Sequence, residues 1–388
     1  MVRLALVSLI VAMVVFGGLA ALSSDQESET TTARADLLLP VSAASIAGFE
    51  RAIEPYEWRF PADHGPHPAF QTEWWYYTGN LATDAGRRFG YQFTVFRRAA
   101  TPYPPASNSE WRTNQLYMAH FTVTDVEGER FYQAQRFSRG AAGLAGAAFE
   151  PRYRVWLEDW EVSARDDQAR LTAIAAASAE VQVQLELEQA KPPALQGDRG
   201  LSPKSAEVGN ASYYYSLPRL VTQGTITVGG ETFTVSGASW MDHEFSTSAL
   251  PANAQGWDWF GLQFDDDRDL MVGQIRLADG SIEPAFGGLL ILPDGGTRWL
   301  ASSDFSIEPT GTWISPHSGA TYPAGWTITV DTGESGPLVL TVTPLVADQE
   351  LAEGAIIYWE GAVRVTGDVT GYGYAELTGY ASAMRQRF

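Results

Sequence analysis

Cysteine is absent from the 388 residues, which removes thiol catalysis, thiolate metal ligands and disulfide bracing together. Stability must then come from burial alone, as suits an exported protein of a bacterial periplasm or outer surface. Beyond the N-terminus no apolar run reaches spanning length, so nothing later in the chain reads as a membrane-spanning helix. Basic residues are scarce: 26 Lys and Arg face 46 Asp and Glu, a net charge of −20. Such a surface repels nucleic acid and anionic lipid. Motifs are missing too. Gly237-Ala238-Ser239-Trp240-Met241 fails the last position of a nucleophile elbow, and no P-loop, dinucleotide fingerprint or HExxH occurs.

The N-terminus carries Arg3, an apolar run from Leu4 to Phe16 and small residues to Ser24. That order predicts a signal peptide over 1–24 and a periplasmic or secreted protein, with an uncleaved anchor as the alternative. Residues 25–47, rich in Ser, Thr and Glu and poor in aromatics, predict a disordered linker.

From Tyr56 onward short alternating segments are broken by Gly, Pro, Asn and Asp, which predicts an all-β fold. In Val181 to Glu188, Val and Leu alternate with Gln and Glu, giving one dry and one wet face. Val126-Glu127-Gly128-Glu129 and Gly229-Gly230 predict tight hairpins. The Ala-rich stretch Ala164 to Ala179 is the best candidate for a helix. An internal repeat organises the rest. Trp74 to Leu81 followed by Gly90 to Arg97 matches Trp257 to Phe264 followed by Leu270 to Arg276. Gly224 to Gly237 matches Gly361 to Gly379 in the same order. Each half then reads as one β-barrel, with domains over 48–248 and 249–388.

Two segments join carboxylates to aromatic rings: Glu73 to Tyr77, and Trp240-Met241-Asp242-His243-Glu244-Phe245 followed by Trp257-Asp258-Trp259. A carboxyl among indoles and phenols loses hydration, stays protonated and can act as a general acid toward an alkene. The ring faces would stabilise the resulting cation. Period-two geometry puts Asp242 and Glu244 on one face and His243 on the other, with Trp257 and Trp259 opposite Asp258. Asp242, His243, Glu244 and Asp258 are the candidate polar core. Trp74, Tyr76, Trp240, Trp257 and Trp259 are the candidate walls. His64, His67, His120 and His243 match no compact metal spacing, and neither a metal nor another cofactor is expected.

The segments Asp63 to Pro68, Thr72 to Leu81, Met118 to Phe121, Tyr213 to Arg219, Trp240 to Phe245, Trp257 to Leu262, Tyr358 to Val363 and Glu376 to Tyr380 resemble the AttH-type family that includes carotenoid 1,2-hydratases. The likeness runs from about Phe49 to the C-terminus and is strongest to its exported, "secreted hydrolase" branch. It implies two packed lipocalin-like antiparallel β-barrels with an elongated apolar pocket at or near their interface. It further implies hydration of a C=C bond by a His, aromatic and Asp set. His243 and Phe245 stand at its first positions, with Phe where the hydratases tend to have Trp, and Asp258 or Asp242 stands at the last. Glu73, His120, Tyr214 and Phe245 join the aromatic walls as implied ligand-binding residues. An apolar small molecule is the expected ligand. The competing functions are a non-catalytic carrier serving an ABC-type exporter or a membrane partner, and a hydrolase using paired carboxylates such as Glu73 and Glu244.

Overall fold

The computed structural model describes residues 46–248, 250–333, 336–354 and 356–384. The signal segment and all but the last two linker residues lie outside this range. Among the described residues no helix is long and apolar enough to cross a membrane.

The fold is all-β: the only helical element among the described residues is a single 3-10 turn, Ala62–His64. Two nearly closed antiparallel barrels share one construction. In the first sheet, of 13 strands, two runs of hairpins meet where Thr72–Ala82 pairs with Glu231–Ser248. In the second, of 10, they meet where Ala254–Phe264 pairs with Gly371–Leu377. The repeat therefore marks real equivalence: the opening strand of each half pairs with both its hairpin partner and the closing strand. The change of sheet falls between Ser248 and Ala254.

Local chemistry sets these strands. Val181–Gln189 alternates strictly between buried and exposed, as its sequence does. Gly229 and Gly230, at φ 57° and 87°, supply the two positive dihedrals of the tight turn joining Val228 to Glu231. The helix expected over Ala164 to Ala179 is absent. Trp160–Ala164 and Leu171–Ala177 form strands there, and Leu171–Ala177 pairs with Val181–Gln189. Ladder hydrogen bonds and burial of Ile174 and Ala176 override alanine's helical preference.

Each barrel has its own core. Trp75, Tyr77, Phe93, Phe121, Tyr215 and Met241 fill the first, and Phe260, Trp326, Leu340 and Trp359 the second. A third cluster, including Tyr76, Tyr214 and Trp240 from one sheet and Trp259, Met271 and Tyr374 from the other, lies between the barrels. Each large side chain fully removed from water contributes roughly 1.5–3 kcal/mol. Strands at this contact are consequently buried on both faces. Thr72–Ala82 is buried at every position but Trp74 and Ala82.

Candidate functional site

Successive side chains of a strand point to opposite faces, so the registers decide which residues meet. Across the first sheet, His120, Thr94, Tyr76, Asp242 and Ser216 stand side by side on neighbouring strands. Met118, Phe96, Trp74, Glu244 and Tyr214 form the parallel row. At about 4.8 Å per strand, five strands extend about 19 Å. On the facing sheet Trp259, Glu376 and Glu360 are cross-strand neighbours. Between these walls lies a cavity of about 110 Å³, where a single water needs roughly 10–15 Å³.

Trp74, Tyr76, Tyr214, Trp257 and Trp259 line this cavity, together with Phe96, Ile275 and Phe286. Its polar groups are few. The Asp242 carboxylate accepts hydrogen bonds from Ser216 Oγ (2.6 Å) and Trp240 Nε1 (2.7 Å) at Oδ1, and from Tyr214 OH (2.7 Å) at Oδ2. Burial outweighs those donors and pushes the group up to about 7. Glu376 is likewise pushed up to about 7 by burial, against a hydrogen bond from the Trp257 indole. Glu244 pairs with Lys204 Nζ at 2.8 Å, and that ammonium lies 4.5 Å from the Phe286 ring centre. His120 Nδ1 sits 2.6 Å from the Tyr358 hydroxyl, and burial lowers its pKa to about 4, so the imidazole is neutral at pH 7.

Several expected site residues face elsewhere. His243, Glu73 and Phe245 lie inside the first barrel, on the opposite strand face from Asp242 and Glu244. Glu73 Oε1 meets His243 Nε2 and His67 Nδ1, both at 2.8 Å, and Oε2 accepts from Arg97 Nε at 2.8 Å. Burial would raise this carboxyl, but Arg97, His243 and His67 hold it well below the usual range. Burial lowers the His243 pKa against the pull of Glu73. Phe245 stacks on His67, centroids 3.6 Å apart. Asp258 is buried against Arg276 Nε (3.1 Å), Gln274 Nε2 (2.8 Å) and Tyr380 OH (3.1 Å), on the strand face opposite Trp257 and Trp259. The set His243, Phe245 and Asp258 is thus not gathered in the cavity, and Asp242 and Glu244 are the candidate carboxylates that reach it. Trp240 stands behind Asp242 as its donor. The carboxylates Glu73 and Glu244, paired for hydrolysis in one reading, point to opposite sides of the first sheet.

Sequence spacing concealed two things. His67, Glu73 and His243 place three donor atoms within 4.8 Å of one another, close enough to hold a metal ion. Strand pairing, which sets Trp75 beside His243 and Glu73 beside Phe245, creates that convergence. The donors are hydrogen-bonded to each other, and the Arg97 cation on Glu73 opposes a second cation there. The pairing of Glu376 with Glu360 is likewise hidden in the sequence, although the repeat aligns their two strands as a hairpin.

A family model described as AttH-like matches residues 51–380. The crystal structure of a candidate AttH from Nitrosomonas europaea is 33% identical, with a TM-score of 0.75 over 86% of this chain and 100% of that one. Kievitone hydratase from Nectria haematococca shares the fold at 16% identity, TM-score 0.61, over 86% and 98% of the two chains. CghA with Sch210972 shares it at 11% identity, TM-score 0.53, over 90% and 98%. No curated protein matches the sequence. With nearly the whole folded region matched by one model and a structure one-third identical over its full length, the chain belongs to the AttH-like family.

Proposed function

We propose that the cavity binds an apolar, alkene-bearing small molecule of the isoprenoid, polyene or lipid-like class and adds water across a C=C bond without a cofactor. A protonated carboxyl on the wall transfers its proton to one alkene carbon. The π electrons form the new C–H bond and leave a carbocation on the neighbouring carbon. Water's oxygen closes on that carbon, and the surplus proton returns to a carboxylate.

The observation that carries this reading is the presence of desolvated carboxyls, Asp242 and Glu376, inside aromatic walls. A positioned acid contributes roughly 10²- to 10⁴-fold. Aromatic faces such as those of Trp74, Trp257 and Trp259 stabilise a desolvated cation by about 2 kcal/mol each. Neutral His120 adds no positive charge to oppose that cation. The fold shared with a protein named as a hydratase agrees with the reading.

Incubation with lycopene and shorter isoprenoid alkenes in ¹⁸O-labelled water tests it. The expected product gains one labelled water, and Asp242→Asn and Glu376→Gln each abolish the gain while apolar ligands still bind. Retained turnover in both variants would sink the mechanism. Binding of apolar ligands with no labelled product from any alkene would instead favour a carrier. We propose further that the protein is exported, with a mature N-terminus near residues 20–24. Mass spectrometry of the protein from its own host checks that position.

A further inference from the structure

Two carboxyl systems face each other across the cavity, and their surroundings differ in kind. Asp242 is built to accept. Trp240 Nε1 can only donate. The Ser216 oxygen already receives the Gln196 amide at 2.8 Å, so its own hydrogen goes to Asp242. The Tyr214 oxygen already receives the Trp259 indole at 3.2 Å, leaving its hydrogen for Asp242 as well. A negative charge on Asp242 therefore meets three hydrogens.

Glu376 and Glu360 have the opposite setting. They are direct cross-strand partners on the Tyr358–Gly367 and Gly371–Leu377 strands, where Cβ atoms lie about 4.5–5.5 Å apart. Glu360 is completely buried. It accepts from Tyr76 OH at 2.6 Å through Oε1, and its Oε2 has no partner. Two like charges at that spacing, out of water and without a cation, cannot both persist, so the pair holds a proton. Only Glu376 opens on the cavity; Glu360 stands behind it.

Resting on the hydration reading, we infer that Glu376 delivers the proton to the alkene, that Glu360 is its positioning partner, and that Asp242 takes the proton from the attacking water. In one turnover Glu376 loses a proton to carbon and Asp242 gains one from water. Water entering after product release carries it back, so nothing else is consumed. Because the two groups sit on facing walls, hydrogen and hydroxyl add from opposite sides of the double bond. The groups that set this balance are Glu360 and the Tyr358–His120 pair on one side. On the other are Asp242, Tyr76 and the Glu244–Lys204 ion pair.

The test uses N,N′-dicyclohexylcarbodiimide, an apolar reagent. The O–H of a protonated carboxylic acid adds across its C=N bond, and the adduct rearranges to a stable N-acylurea. Mass spectrometry of the labelled native protein is expected to find the adduct on Glu376, with labelling fading as pH rises. Glu360→Gln is expected to move the midpoint of that fade down by about one pH unit or more, because a neighbouring like charge no longer opposes ionisation. Asp242→Asn is expected to leave the adduct on Glu376. An adduct on Asp242 in its place, or a midpoint that does not move in Glu360→Gln, overturns the assignment and leaves the hydration reading intact. If an apolar dye enters the cavity and neither carboxyl reacts, the protonated-acid reading itself falls, and this assignment with it.

Discussion

Glu73 and Asp242 are buried carboxyls on two directly paired strands, yet the protein drives them in opposite directions. Burial opposes the charge on both. At Glu73 it is overcome by Arg97 and two imidazoles; at Asp242 only neutral donors oppose it. Removing the charge from the first should therefore be costly. Glu73→Leu leaves Arg97 buried beside two histidines without a counter-charge, and urea unfolding is expected to show a loss of about 3–5 kcal/mol. The pH dependence follows from the same contrast. Glu73, depressed when folded, adds stability that is present above its unfolded value of 4.5 and disappears as the pH falls below it. Glu376, raised to about 7 when folded, holds a proton that the unfolded chain has released, so its own contribution to stability falls as pH rises from about 4 to about 7, while buried neutral His120, lowered to about 4, contributes with the opposite sign. The slope is on the order of 1 kcal/mol per pH unit for each group. Thermal unfolding across this window is expected to show the wild type losing stability relative to Glu376→Gln as the pH rises. A constant difference between the two curves from pH 4 to 7 would contradict the assigned protonation.

Individual strands carried most of what could be read in advance. Alternation marked Val181–Gln189, and the glycine pair marked the hairpin of Ala211–Val228 with Glu231–Ser248, because both are short-range effects. The facing directions of Asp242, His243 and Glu244 followed from period two alone. Pairing register did not. Nothing local brings Glu73 to His243, which lie far apart in sequence, and the register that sets Glu360 beside Glu376 within one hairpin is not written in the alternation of either strand. The failed helix over Ala164 to Ala179 has a different cause: Leu171–Ala177 forms ladder bonds with the strands just before and just after it, Trp160–Ala164 and Val181–Gln189. Strands buried on both faces also lose the alternation that reveals them, as in Trp74-Trp75-Tyr76-Tyr77. Close packing on two sides leaves glycine where nothing larger fits. At Gly79 a Cβ would lie 2.5 Å from both Ser239 Oγ and Tyr91 Cε1, two groups held by their mutual 2.7 Å hydrogen bond. Gly79→Ala is therefore expected to destabilise the protein by about 1–3 kcal/mol despite alanine's lower unfolded-state entropy. Chemical denaturation measures it, and an unchanged midpoint would mean the strand shifts freely.

At the scale of the whole molecule, the two barrels are joined by a contact that neither could leave open to water. Tyr76, Tyr214 and Trp240 on one side meet Trp259, Met271 and Tyr374 on the other. Polar ties cross the same seam. Tyr76 OH reaches Glu360 at 2.6 Å, Asn80 Nδ2 reaches the Gly373 carbonyl at 2.9 Å, and Thr124 Oγ1 reaches Gln349 at 2.7 Å. At its edge, buried Asp269 holds both Lys191 (2.6 Å) and Arg219 (2.7 Å). Separating the barrels would strand these groups along with the aromatic surface, and each unsatisfied polar group costs about 1–3 kcal/mol. Calorimetry of the whole protein is accordingly expected to show one cooperative transition, and two resolved transitions would mean the seam is weak. Asp269→Ala separates the contributions. It leaves two cations without their shared carboxylate, far from the cavity carboxyls. It should lower stability by about 3–5 kcal/mol while the protonation of Glu376 and Asp242 stays as it was. A variant that unfolded in two steps, with the cavity carboxyls now titrating near 4, would show that the ion pairs hold the barrels together and that barrel contact keeps water from the acids.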